Sequence, residues 1–249
     1  MSNFRMNPLD TVWLMMESAD TPMHVGVLAI FDKPRNAPVD FLSALADGMR
    51  ASKQLVAPWD CQLSGRGISP RLIEDQDFDL DYHFRHTALP QPGGERELGM
   101  VVSRLHSHAL DRTRPLWEFH LIEGLARDRF AFYVKIHHAL VDNVNGIPLL
   151  FAMLSDSARR RNMPPLWTRP LHTREAELDA DDSLLSALTS PLETVSSLGR
   201  SASGLLRGAF NRQEGGSFLI PRGPPRSTLN RHIGPQRRFA TWQFEQSRI

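Results

Sequence analysis

The sequence predicts an α/β (α+β) fold, and three features carry that prediction. Residues 24–31 (HVGVLAIF) form a continuous apolar run of strand length. Residues 95–110 place Leu98, Val101, Val102, Leu105 and Ala109 on one stripe at helical spacing. Two strands, Trp117–Glu123 and Arg129–His137, follow that helix, and the short Gly124–Asp128 connection between them predicts a hairpin.

The other elements follow in chain order. Asn7 can cap a first helix, and Pro8 suits its first position, where a missing N–H costs nothing. Leu9, Val12, Trp13 and Met16 then recur at helical spacing. The run at 24–31 reads as a buried strand, and residues 38–52 as a helix opened by Pro38. Residues 55–92 are broken by Pro and Gly, with short strands near Arg71–Glu74 and Tyr82–Arg85. Beyond the hairpin, a helix begins after Asn143 and carries Ile147, Leu150 and Leu154. The segment 155–182 is charged, with Arg159-Arg160-Arg161, Pro164-Pro165 and Pro170, and reads as a surface crossing or linker. Residues 183–210 are rich in Ser, Leu and Gly, with Leu184, Leu188, Leu192 and Val195 near helical spacing. A Gly/Pro/Arg-rich loop over 211–235 leads to a last strand, Arg238–Phe244.

Composition narrows the function classes. A chain of 249 residues holds one large domain or two small ones, and 41% hydrophobic with 23% charged residues is ordinary for a globular protein. The single cysteine, Cys61, excludes an intramolecular disulfide and a cysteine-built zinc site, and a reducing compartment is the simple reading. The opening MSNFRMNPLDTVW has no apolar core of a signal peptide, and no segment approaches the roughly 20 apolar residues of a membrane span. The net charge of +1 conceals an asymmetry: residues 1–154 carry a net of −4 and residues 155–249 a net of +5. The basic residues are scattered with few aromatics among them, which argues against nucleic acid and favours an anionic ligand or an anionic membrane surface.

The chemistry concentrates in residues 129–143, RFAFYVKIHHALVDN. Strand side chains alternate, so Phe130, Phe132, Val134 and Ile136 share a face with His138 if the strand runs that far, while His137 joins Tyr133 and Lys135 on the other. The adjacent histidines therefore have different surroundings. Imidazole suits a general base because its ordinary pKa is near neutrality. Asp142, four residues on and past a turn, can fix the loop that presents the histidine. A lone histidine is more often structural than catalytic; the HHxxxD spacing is what raises the functional reading.

That run resembles the HHxxxDG motif of the coenzyme-A-dependent acyltransferase superfamily, which includes chloramphenicol acetyltransferase, nonribosomal peptide condensation domains and wax ester synthases. The resemblance to the wax ester synthase/diacylglycerol acyltransferase family goes further. Pro8-Leu9-Asp10 with Trp13-Leu14 and Glu17, then Thr21-Pro22-Met23-His24-Val25-Gly26, is similar to that family's opening segment. Arg114-Pro115-Leu116-Trp117-Glu118 resembles its PLW motif, and Lys135-Ile136-His137-His138-Ala139-Leu140-Val141-Asp142 its form of the histidine motif. Arg226-Ser227-Thr228-Leu229-Asn230 and Arg237-Arg238-Phe239-Ala240 resemble its later landmarks.

The resemblance implies an O-acyltransferase that moves a fatty acyl group from acyl-CoA to a long-chain alcohol or to diacylglycerol. It implies His138 as general base, His137 as a supporting residue, Asp142 as an orienting one, and Pro115, Leu116, Trp117 and Asn143 at the substrates. It implies direct transfer in a ternary complex, with acyl-CoA as substrate, no other cofactor and no metal. The implied fold is a chloramphenicol-acetyltransferase-like subdomain, a mixed sheet flanked by helices, facing a second subdomain across a tunnel. Residues 1–154 would be the N-terminal subdomain, 155–235 the crossover with a helical segment, and 236–249 the start of a second subdomain that is largely missing, together with the residues that stabilise the oxyanion. Further implied partners are a peripheral membrane or lipid-droplet surface and a separate C-terminal half, in a cytoplasmic setting.

Asn143 stands where the motif has Gly; Asn is the next most tolerant residue in the left-handed region, so the turn survives while a passing ligand meets a side chain. Two readings compete. One is a truncated, non-catalytic remnant or half of a split enzyme acting as a binding or assembly module. The other is a condensation domain making amides, against which Pro22-Met23-His24-Val25-Gly26 and Pro115-Leu116-Trp117 argue. His106-x-His108 on a helix points its two rings apart, which argues against a metal. No GxSxG elbow is present, which argues against a hydrolase.

Overall fold

Helix-period and strand-period segments alternate through the first 171 residues. In the computed structural model a short strand β1 (Asn3–Arg5) precedes helix α1 (Pro8–Met16), then strand β2 (His24–Asp32) and helix α2 (Phe41–Ala51). Strands β3 (Cys61–Ser64) and β4 (Arg71–Glu74) lead to a helical turn α3 (Leu80–His83), strand β5 (Phe84–Ala88) and helix α4 (Glu95–Ser107). The hairpin β6 (Trp117–Leu125) and β7 (Arg129–His137), helix α5 (Gly146–Phe151) and a 3-10 turn, Leu166–Thr168, follow. The structure describes residues 3–6, 8–65, 70–141, 146–157, 160, 163–171, 234 and 236–241, all within one compact unit made of residues 1–171 and 233–249. The helical stretch expected over 183–210 lies outside the described residues, as do Asn7, Asp142 and Asn143.

The central sheet has the order β2-β7-β6-β5. β2, β7 and β6 are mutually antiparallel and β5 lies parallel to β6, so the sheet is mixed, as expected. The β6–β7 hairpin turns through Arg127 and Asp128, both at positive φ, which matches the twist of the flanking strands. A second small antiparallel sheet has the order β1-β4-β3.

Alternation along β7 divides the core. Phe130, Phe132, Val134 and Ile136 meet α2 and the aromatic cluster on one face, while Ala131 and Tyr133 pack under Leu98 and Val102 of α4 on the other. Three fully buried tryptophans anchor the first face: Trp117 lies 5.7 Å from Trp59 and 5.6 Å from Trp167 between ring centroids. Each indole N–H donates to a backbone carbonyl, Trp59 to Arg169 at 2.7 Å, Trp117 to Trp59 at 2.8 Å and Trp167 to Ser52 at 2.9 Å. Burying these rings therefore strands no polar group.

Several expectations shift. β2 is an edge strand of the described sheet, so it is half-exposed, not buried, with Val27 37% exposed. Pro38 does not open α2; Phe41 does, three residues later, preceded by Asp40. The strand expected at Tyr82–Arg85 is β5, displaced to Phe84–Ala88 by the helical turn before it, where the Asp79 side chain accepts the Asp81 N–H. α4 stops at Ser107, which leaves Ala109 exposed beyond the stripe. The segment expected to cross the surface places Leu166 and Trp167 in the core, fully buried, because the indole fits against Trp117 and Phe119. Residues 238–241 of the last expected strand form no ladder and instead dock along α4. The Phe239 N–H donates to Ser103 Oγ at 2.7 Å and the Arg237 N–H to Ser107 Oγ at 2.8 Å. Gly99 permits this approach, since a Cβ there would sit 2.8 Å from the Phe239 carbonyl oxygen.

Candidate active site

β7 delivers the paired histidines, and its ladder ends between them. His137 is the last strand residue, paired with His24 of β2, and His138 opens the turn 138–140. Two hydrogen bonds shape the break. The Ala139 N–H donates to His137 Nδ1 at 3.0 Å, and the His138 N–H donates to the Met23 carbonyl at 2.9 Å. His138 therefore lies beyond the strand and outside the apolar row expected of it.

His137 is fully buried. Its Nδ1 accepts a hydrogen bond, so the proton of the neutral ring belongs on Nε2, which lies 3.6 Å from Glu17 Oε1. That separation is beyond an ordinary hydrogen bond, and it is an electrostatic contact. Glu17 Oε1 also accepts the Met23 N–H at 3.1 Å, and Oε2 accepts from Arg112 Nε at 2.7 Å. Burial raises the Glu17 pKa, but the His137 ring, the Met23 N–H and the Arg112 charge outweigh it and hold the carboxyl down to about 2. Arg112 also donates to the Leu14 carbonyl in the last turn of α1, a favourable place for a cation.

His138 is partly exposed and stacks on Trp13, with ring centroids 4.5 Å apart and planes 17° apart. Burial lowers its pKa and the neighbouring His137 charge lowers it further, against a hydrogen bond to the Val141 backbone that raises it. The ring is thus neutral near pH 7. In the neutral ring one nitrogen carries the N–H and the other a free lone pair. Pro115 is buried, and Leu116 and Trp117 are fully buried: Leu116 packs with Leu14, Leu110 and Ala139 beneath the turn, and its carbonyl accepts the His137 N–H at 3.0 Å.

The polar residues behind the site are structural. Lys135, fully buried, donates to the Leu105 and His108 carbonyls at the end of α4, each at 3.0 Å, and pairs with Glu118 at 3.0 Å. His24 Nε2 meets the His106 carbonyl at 2.9 Å, and burial drives its pKa down to about 4. His106 and His108 engage different partners, the Tyr133 hydroxyl and the Arg104 carbonyl. No group of three metal-ligating side chains occurs among the described residues. The Cys61 thiol is buried, and its pKa is pushed up to about 12, first by burial and then by Asp60, so it is not a nucleophile.

Sequence reasoning assigned no role to Trp13, Glu17, Arg112 or the Met23 backbone. Two signals pointed to the first pair. Trp13 and Glu17 lie four residues apart, which is helical spacing. An acid just past a helix C-terminus is disfavoured by the dipole unless something else holds it.

A family profile described as "Wax ester synthase/diacylglycerol acyltransferase catalytic domain" matches residues 6–249. A putative diacylglycerol O-acyltransferase of Mycobacterium tuberculosis is 38% identical, over 98% of this chain and 56% of its own length. The O-acyltransferase WSD of Acinetobacter baylyi is 37% identical, over 98% of this chain and 53% of its own length. A solved structure, the wax ester synthase/diacylglycerol acyltransferase from Marinobacter aquaeolei VT8, superposes with a TM-score of 0.63 at 40% identity, over 76% of this chain and 48% of that one. The chain spans about half the length of the curated relatives it matches. With the family profile matched over residues 6–249 and relatives aligned over 98% of its length, the chain belongs to the wax ester synthase/diacylglycerol acyltransferase family.

Proposed function

We propose that this chain supplies the base-bearing half of an O-acyltransferase that moves a fatty acyl group from acyl-CoA to a long-chain alcohol or to diacylglycerol. The observation that carries the reading is the His138 ring: partly exposed, stacked on Trp13, and kept neutral by burial. In this reading its free nitrogen takes the proton from the acceptor hydroxyl as that oxygen attacks the thioester carbonyl. The C–S bond then breaks, and the imidazolium returns the proton to the departing CoA sulfur. No acyl-enzyme is needed. His137 supports from the buried side, and Asp142 orients the turn. Pro115, Leu116 and Trp117 shape the substrate channel from beneath, and Asn143 serves substrate binding.

Residues 1–154 act as the first subdomain, 155–235 as the crossover and 236–249 as the start of the second, with the tunnel between the two halves. No helix among the described residues is long and apolar enough to cross a membrane. We place the enzyme in the cytoplasm, meeting its lipid acceptor at a membrane or lipid-droplet surface.

The test is acyl-CoA-dependent release of free CoA with hexadecanol or diolein as acceptor, for the chain alone and with a second half supplied, beside His138→Ala. Turnover that falls by about 1,000-fold or more in His138→Ala, to a residual rate, supports the reading. Turnover untouched by that substitution removes His138 as the base. No turnover from folded protein in either setting favours a binding or assembly module.

A further inference from the structure

We infer that Trp13, in the last turn of α1, and Glu17, just past its C-terminus, form a clasp that positions the two histidines: Glu17 holds the His137 ring and Trp13 the His138 ring, so that the end of α1 sets the direction of the base. This rests on the reading of His138 as base. Adjacent strand residues point to opposite faces, so one helix face reaches both rings only where the strand breaks between them. Here it does, since β7 ends at His137 and the Ala139 N–H folds back onto His137 Nδ1 at 3.0 Å. The Glu17 N–H still donates to the Trp13 carbonyl at 3.2 Å, so the helical path carries on to Glu17 and the two side chains reach both rings from one side.

The Glu17 half explains a buried polar atom. His137 Nε2 is inaccessible to solvent and has no hydrogen-bond partner among the described residues; the Glu17 carboxylate at 3.6 Å is what it faces. The Glu17 side chain is 8% exposed and is itself held by the Met23 N–H and by Arg112. Because the Met23 carbonyl accepts the His138 N–H, the Met23 residue ties the carboxylate to the backbone of the base. The Trp13 half covers one face of the His138 ring, and His138 stays partly exposed. The packing of α1 is carried separately by Leu14, in the cluster with Leu110, Leu116 and Ala139. The pair is thus free to serve the rings. Both are positioning residues: neither transfers the proton, and a base displaced by an ångström loses about 100-fold in rate.

The experiment compares Glu17→Gln, Trp13→Ala and Trp13→Phe, each alone and in a His138→Ala background, with Met15→Ala as an exposed control, in the acyl-CoA assay with the second half present. Expected is a fall in kcat of about 10- to 100-fold for Glu17→Gln and Trp13→Ala with KM little changed. Trp13→Phe keeps a stacking ring and recovers most of the rate. In the His138→Ala background the two substitutions add no further loss, because they act through that ring. Equal losses in both backgrounds, or a rate deficit matched by the unfolded fraction in urea, overturns the clasp.

A second measurement needs no turnover. The His138 imidazole, assigned by its absence in His138→Ala, is titrated by NMR in this chain. Trp13→Ala is expected to raise its midpoint toward the ordinary histidine value as the ring gains water, and an unmoved midpoint overturns the Trp13 half. A shifted midpoint in a chain that never turns over leaves the clasp and removes the base reading. Normal turnover with both readouts unmoved does the reverse.

Discussion

Replacing Lys135 with Met tests what holds the strand that presents the histidines. The ammonium is fully buried and makes three contacts of 3.0 Å: the Leu105 and His108 carbonyls at the end of α4, and Glu118 Oε2. Met fills similar space but donates nothing. It leaves two helix-terminal carbonyls without their donor and a 7%-exposed carboxylate without its cation, with the His120 ring 3.3 Å away. Breaking a buried pair from one side costs about 3–5 kcal/mol, and a lost buried carbonyl partner about 1–3 kcal/mol. Relief of the ammonium's own desolvation, which lowers its pKa, offsets part of this. The expected net loss is about 3–5 kcal/mol, a large share of a typical domain's 5–15 kcal/mol. Urea unfolding at pH 7 with linear extrapolation measures it. The deficit should narrow toward pH 5, where the orphaned Glu118 takes up a proton. Lys135→Met with Glu118→Leu should recover more than half of the loss, because no uncompensated charge remains. A single-variant loss below about 1 kcal/mol, or a double variant as weak as the single, would refute this account of the buried pair.

Two further predictions concern stability. Glu17 and Glu118 titrate near 2 in the fold against an ordinary 4.5, so their contribution is complete above 4.5 and is lost as pH falls through 2. His24 titrates near 4 against an ordinary 6.5, so the fold favours its neutral form, and that contribution is complete above 6.5 and lost as pH falls through 4. Thermal melts should therefore decline in two stages below pH 6.5, the upper one reduced in His24→Gln; a flat profile from pH 6.5 to 4 contradicts the His24 assignment. Gly93→Ala places a Cβ 1.9 Å from the Gly124 carbonyl oxygen at a φ of +71°, and should cost about 2–4 kcal/mol in urea unfolding. A cost below about 1 kcal/mol would mean that the 89–94 and 124–126 segments shift freely past one another.

The elements that were legible are those whose periodicity runs uninterrupted. β7 at Arg129–His137 and β4 at Arg71–Glu74 are as read, and α4 differs only in its last turn, because apolar repetition along a strand or helix is a local property. Misreadings fell where a distant partner decides. Pro38 is a plausible helix opener in isolation. Trp167 reads as part of a charged, proline-rich crossing until Trp117 and Phe119 give its ring somewhere to go.

The site divides in the same way. The spacing of His137 and His138 at the end of an alternating strand, and their likeness to a known motif, were in the sequence itself. By alternation alone it also placed the two rings in different surroundings. It could not say that the strand would stop between them, that His137 Nδ1 would accept an N–H from two residues on, or that a carboxylate 120 residues earlier would face Nε2. Those depend on α1 being laid against the end of β7 by Leu14 and Leu116, contacts between segments far apart in the chain. Sequence determines which groups are available and which face of an element they occupy; only tertiary packing brings α1 to the strand end, and a pKa or an orientation is a property of that assembled neighbourhood.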